Sequence, residues 1–297
     1  MTTFEAQICG RRLAGLMWHG EQAEVPTLAL HGWLDNAASF SVLAPHLPLP
    51  ALLAIDMPGH GCSDHRPAPG DYAIWDDLLD LLALADYLGW ERFNLIGHSR
   101  GAFIALLLAA AAPERVHRVA LLDGVCPPPV APEDAPKVLR RYLQDQRGVK
   151  DKRLPRYPDI DSAVAVWQKA SGLPAKAAQL IVRRGLREHE DGGYTWRSDP
   201  RLTLGSAFKL SDAHNRAFVG AVEAPLYALL ATRGYGGKFD MSTLLDGYPH
   251  IEYEMCEADH HLHMGDDAPV IAARLQRFFA APRSLSENCD RLEGKTD

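Results

Sequence analysis

Ser99 stands at the centre of Gly97-His98-Ser99-Arg100-Gly101, between a strand-forming run, Phe93-Asn94-Leu95-Ile96, and an Ala/Leu-rich stretch from Ala102 to Ala112 that reads as a helix. A serine hydroxyl is a poor nucleophile at neutral pH. It becomes a good one on a strained, exposed perch, with a base beside it and donors for the oxyanion it creates. A sharp strand–turn–helix elbow is such a perch, and glycines two residues either side of the serine let the helix start close against the strand. Much later, Ala258-Asp259-His260-His261-Leu262-His263-Met264 puts three histidines just after an apolar run, Ile251 to Met255. A serine, a histidine base and a carboxylate to orient it are the parts needed for acyl transfer.

Two acids can complete the set while keeping the chain order Ser, Asp, His. Asp123 ends the apolar run Val116 to Leu122, in Leu121-Leu122-Asp123-Gly124; Asp240 follows the later run Leu226 to Ala231. Each has a plainer role available, Asp123 as the cap of a turn and Asp240 as a solvated loop carboxylate. The three histidines lack the i, i+4 spacing of a helical H-E-x-x-H metal site and have no acidic partner motif, so the site is read as free of metal and cofactor.

These residues need a scaffold, and the chain patterns supply one. Apolar runs bounded by turn residues recur at Leu13 to Trp18, Thr27 to Leu30, Leu52 to Ile55, Phe93 to Ile96, Val116 to Leu122, Leu226 to Ala231 and Ile251 to Met255, as expected of buried parallel strands. Helical spacing appears over Trp75 to Leu88 before Gly89, over Pro269 to Phe279, and over Asn36 to His46 behind a capping Asp35. Alternating strands and helices predict a doubly wound α/β sheet covered on both faces. The alternation breaks after residue 126. Lys137 to Gln146, Ser162 to Ala170 and Ala175 to Glu188 read as charged helices without strand runs, so residues 127–215 form an expected helical cap on a core of 1–126 and 216–282, with 283–297 a flexible tail. An insertion over the carboxyl edge of such a sheet shapes a pocket. Trp167, Tyr194, Trp196 and Phe208 are its candidate lining.

The 297 residues are 47% hydrophobic and 23% charged with a formal charge of −7, which suits a folded globular chain and argues against nucleic acid or an anionic membrane as partner. A small-molecule substrate fits better, for a monomer or homodimer. Residues 1–12 lack an apolar signal region and no stretch of 18 apolar residues occurs, giving a cytoplasmic expectation. Five scattered cysteines suggest free thiols.

With His31-Gly32-Trp33 after one early strand run and Asp56-Met57-Pro58-Gly59-His60-Gly61-Cys62-Ser63-Asp64 after the next, the elbow and the late histidines resemble the α/β-hydrolase superfamily, with matches in order from residue 27 to 279. The HGW-LDN segment and the cluster ending in His263-Met264 resemble its serine hydrolase-like branch. The resemblance implies a mostly parallel eight-stranded sheet with a helical cap, and no cofactor. It implies His260 as base, since the superfamily's catalytic histidine is commonly followed three residues later by another, here His263; His261 and His263 are then structural or pocket residues. It implies an oxyanion hole of the Trp33 and Arg100 backbone N–H groups. The Asp56 to Asp64 segment is read as a structural loop without chemistry.

The chain departs from the commoner family pattern at the acid, which would fall near Arg233-Gly234-Tyr235, where no Asp or Glu stands. One subfamily of haloalkane dehalogenases resembles the alternative, an acid at the preceding strand end; Asp123, 24 residues after Ser99, is therefore favoured over Asp240. Arg100 is unusual beside the nucleophile. Fluoroacetate dehalogenases resemble this arrangement and bind an acidic substrate with such an arginine, so its side chain is a candidate substrate ligand; the alternative folds it back onto a carboxylate such as Asp123 or Asp35. The expected activity is serine hydrolysis of an ester, thioester or lactone of a small to medium molecule. The alternatives are a degenerate relative that binds a ligand without turnover, and a C–C bond hydrolase.

Overall fold

The computed structural model describes residues 1–20, 23–68, 70–149 and 152–281; the expected tail and Cys289 lie outside the described residues. The strands are β1 (Thr2–Ile8), β2 (Arg11–Trp18), β3 (Thr27–Leu30), β4 (Leu52–Ile55), β5 (Phe93–His98), β6 (Val116–Leu122), β10 (Leu226–Ala231) and β11 (Ile251–Cys256), in the order β1-β2-β4-β3-β5-β6-β10-β11. From β4 onward every pairing is parallel, while β1 and β2 run antiparallel at the edge. β1 is not among the strands expected from apolar runs. Its sequence alternates with polar residues and only Ala6 and Ile8 are buried, as suits an outermost strand.

Alternate residues of the parallel strands feed two separate cores. Leu28, Leu30, Leu95, Leu121 and Leu230 face one side, against α1 (Asp76–Tyr87) and α2 (Arg100–Ala111). Ala29, Ile96, Ala120, Leu122 and Leu229 face the other, against Phe40, Leu43 and α9 (Ala268–Ala280). Burial on both faces is why these strands read as unbroken apolar runs, and each fully buried Leu or Ile contributes roughly 1.5–3 kcal/mol. The segment Asn36 to His46 is not one helix. It forms two 3-10 turns, Ala37–Phe40 and Ala44–His46, the first capped by Asn36 rather than Asp35, because Pro45 has no N–H to continue an α-helical ladder.

Residues 127–215 carry α3 (Ala135–Gly148), β7 (Arg156–Tyr157), α4 (Ile160–Ser171), α5 (Ala175–Gly185), β8 (Leu186–Glu188) and β9 (Tyr194–Trp196); α6 (Asp212–Gly220) leads back to the sheet. The segment is therefore not purely helical. β7, β9 and β8 form a small antiparallel sheet too short and too polar to show as apolar runs, and α5 stops at Gly185 because Leu186–Glu188 pairs with β9. Polar contacts fasten this segment to the core at several places. Asn36 Nδ2 donates to Ile181 O, Trp33 Nε1 to Leu202 O, and Tyr72 OH to Asp199. Arg184 reaches Asp56, a fully buried carboxylate that also accepts the amides of Ala37 and Cys62. The Asp56 to Asp64 loop is thus an anchor for α5. Arg184→Met leaves the Asp56 charge without its cation in a dry site, and is expected to lower the urea-unfolding free energy by about 3 kcal/mol. Among the described residues no helix is long and apolar enough to cross a membrane.

Candidate active site

Sheet order and register bring the candidate residues together. β3 sits between β4 and β5, so the chain reverses its direction of winding there and leaves a crevice at the strands' carboxyl ends. Leu30 pairs with Gly97, which sets His31-Gly32-Trp33 beside Ser99. His98 pairs with Leu122, and Leu122 with Leu229, which brings Asp123 up next to the elbow. Ser99 itself has φ 53°, a left-handed conformation that a serine holds only under strain. The tightness of the turn explains its glycines: a Cβ on Gly97 would lie 2.5 Å from Gly101 O, and one on Gly101 2.1 Å from Leu30 O.

His260 lies between the serine and the acid. Its Nδ1 is 2.6 Å from Asp123 Oδ2 and its Nε2 is 2.9 Å from Ser99 Oγ. A carboxylate only accepts, so Nδ1 carries the proton and Nε2 presents its lone pair to the serine hydroxyl. Asp123 is fully buried and fully coordinated: Oδ1 accepts the amides of Ala231 and Gly236, and Oδ2 also accepts the amide of Tyr235. Burial alone would raise its pKa; the hydrogen bonds from His260 and the three amides outweigh that and hold it below the ordinary carboxylate value. Two of those amides open the short helix α7 (Tyr235–Lys238), in the loop where the commoner family pattern has its acid. Here the loop gives donors instead, and a Cβ on Gly234 would come 2.0 Å from Asp123 Oδ2. Asp240 does not approach His260. It is exposed and caps α8 (Met241–Leu245), accepting from Thr243 N and Ser242 Oγ.

The Arg100 side chain folds back onto a carboxylate, as the alternative reading has it, but onto Asp77 and not Asp123 or Asp35. Its Nη2 donates to Asp77 Oδ2 at 2.8 Å and to Tyr72 O at 2.9 Å. Asp77 is buried and demands cations; Arg66 supplies a second one and continues the chain of charges to Asp80 and Arg11. Nothing local to the elbow signals this pairing, because Asp77 lies on the α1 surface that packs beneath it. Among the described residues the backbone N–H groups of Trp33 and Arg100 have no acceptor, and both residues line the cavity that holds Ser99 and His260.

That cavity measures about 420 Å³ and is walled by Trp33, Leu34, Phe103, Trp167 and Tyr235. Of the four aromatics expected to line it, Trp167 does. Trp196 packs behind Trp167 with ring centroids 5.2 Å apart, Tyr194 lies in the small sheet, and Phe208 packs on Trp75. His98 and His261 line the cavity floor, and His263 packs against both. His263 is fully buried with Nε2 2.7 Å from Ser39 Oγ. His261 Nε2 lies 3.2 Å from Asp35 Oδ2; burial opposes its charge, but the Asp35 carboxylate overrides this and raises its pKa. Asp35, expected as a helix cap, is instead buried here. His98 is fully enclosed, and burial pushes its pKa down to about 4.

Comparison with known proteins bears on the family and the fold. Residues 26–158 match the model of the alpha/beta hydrolase fold family. A serine hydrolase-like protein of Danio rerio is 32% identical over 287 residues, covering 92% of this chain and 86% of the relative. An esterase of Mycobacterium tuberculosis is 28% identical over 223 residues, 72% of this chain and 67% of the relative. The crystal structure of a hypothetical protein from Pseudomonas aeruginosa superimposes with a TM-score of 0.90 at 40% identity, over 95% of this chain and all of that one.

Proposed function

The chain belongs to the α/β-hydrolase family, in its serine hydrolase-like branch, and from that membership we propose that it hydrolyses a carboxylic ester, thioester or lactone through an acyl-enzyme on Ser99. The observation that carries the reading is the unbroken hydrogen-bonded chain Ser99 Oγ, His260, Asp123 at the base of an apolar cavity. His260 Nε2 takes the hydroxyl proton as Oγ attacks the carbonyl carbon, and the charge that develops on the carbonyl oxygen is met by the Trp33 and Arg100 amides. The imidazolium, held by Asp123, then protonates the leaving oxygen or sulfur as the bond to it breaks. A water molecule gives its proton to the same nitrogen, attacks the acyl carbon and releases the acid and Ser99. The absence of an acid at the commoner place after β10, near Arg233-Gly234-Tyr235, motivates the rival reading of a binding protein without turnover. That motive loses its weight once Asp123 stands 2.6 Å from His260.

The cavity volume suits small to medium acyl groups. A fluorophosphonate probe is expected to form one covalent adduct, on Ser99, and p-nitrophenyl esters of increasing acyl length are expected to be cleaved best at short and medium lengths. Folded protein that takes up no probe and cleaves none of the esters would overturn the proposal.

A further inference from the structure

Beside the serine, three metal-ligating side chains converge that the hydrolytic scheme does not use. Asp35 Oδ2, His98 Nδ1 and His261 Nε2 all lie within 4.8 Å of one another, on the floor of the same cavity. They come from three loops or strand ends: the one after β3, the last residue of β5, and the one after β11. They are far apart in the sequence, and the sheet alone brings them together.

The proton arrangement there leaves a ligand lone pair free. His98 Nε2 is 3.0 Å from the carbonyl oxygen of His260, which can only accept, so the His98 proton sits on Nε2. Nδ1 is therefore a bare lone pair. It is fully buried, has no hydrogen-bond partner, and faces Asp35 Oδ2 at 3.7 Å. The nearest protein donor is His261 Nε2, 3.2 Å from the Asp35 oxygen, and it does not serve His98 Nδ1; a metal ion that displaces the His261 proton would be met by a lone pair from each of the three side chains.

Two of the three ligand separations suit a small, tetrahedral ion. Nitrogen and oxygen ligands about 2.1 Å from zinc stand roughly 3.4 Å apart; Asp35 Oδ2 is 3.2 Å from His261 Nε2 and 3.7 Å from His98 Nδ1. Space is kept by Gly32, where a Cβ would lie 2.9 Å from His98 Nδ1 and 3.2 Å from Asp35 Oδ2. Two imidazoles and one carboxylate are a borderline-soft donor set that favours zinc and its transition-metal neighbours over calcium or magnesium. The geometry points to a divalent transition-metal site formed by Asp35, His98 and His261, with its fourth position opening into the cavity. Occupied, it ties the loop carrying His260 to the loop carrying Trp33, so that metal supply becomes a control on the spacing of those loops.

The test is isothermal titration of zinc chloride into the full chain in a non-chelating buffer, with thermal unfolding as a check on each variant. Wild type is expected to bind one zinc ion at this site. His261→Ala, which removes a ligand, and Gly32→Ala, which keeps all three ligands but puts a methyl group among them, are each expected to weaken binding by at least about tenfold. His260→Ala and Ser99→Ala are expected to bind as wild type. The proposal fails if wild type shows no saturable binding up to millimolar zinc, if His261→Ala and Gly32→Ala, both folded, bind unchanged, or if His260→Ala loses as much as His261→Ala. The last result would put the ion on the base itself.

Discussion

Asp123→Asn is expected to lower kcat on a p-nitrophenyl ester by about ten-thousand-fold, the scale seen when a triad carboxylate becomes an amide, while Asp240→Asn stays within about twofold of wild type, as a surface change remote from the reacting groups does. The size of the first effect follows from the donors that converge on Asp123. Oδ1 accepts two backbone amides, so the asparagine oxygen must take that side and its NH2 the other. The NH2 then faces His260 Nδ1 and the Tyr235 amide, both of which donate in the wild type. His260 can adapt only by moving its proton to Nε2, where it can no longer accept the proton of Ser99. KM should change little, because no substrate contact is removed. Steady-state kinetics on the two variants checks this; full activity in Asp123→Asn with loss in Asp240→Asn would reverse the assignment.

Ser99→Ala is expected to abolish the fluorophosphonate adduct and reduce kcat by about a million-fold, the scale seen when a serine nucleophile is removed. A companion variant separates the chemistry from the strain. Ser99 has φ 53°, a region that glycine enters freely and a serine does not. Ser99→Gly is therefore expected to be as inactive as Ser99→Ala yet more stable than wild type by about 1 kcal/mol in urea unfolding. Loss of activity with a gain in stability would place the strain at the nucleophile itself; equal or lower stability would show that the turn carries no stored cost.

The parts of the molecule that local sequence dictates could be read from it. The bounds of β3, β4, β6 and β10 follow from apolar runs, since a strand buried on both faces has no polar register to confuse it. Ser99 was readable because the elbow's pattern is local, with Gly97 answering the backbone of Gly101 and Ala102 just beyond the serine. What could not be read depends on partners far away in the chain. The Arg100 guanidinium goes to Asp77, and Asp35 goes to His261, because helix α1 and the loop after β11 are brought there by packing and not by proximity in sequence. β1 and the three-stranded sheet escaped for the opposite reason: their residues are short, polar or half exposed, and leave no apolar signature. The amides that hold Asp123 belong to the same class, as backbone donors are invisible in a list of side chains.

The close fit of Gly234 against the Asp123 carboxylate bears on how such a site can change over generations. Any side chain at position 234 collides with the acid already in place, and removing that acid first leaves three amides and an imidazole with nothing to bind. An acid at 234 therefore cannot be gained by a single substitution while Asp123 stays in place, and the pair glycine at 234 with aspartate at 123 is expected to be kept, or lost, together.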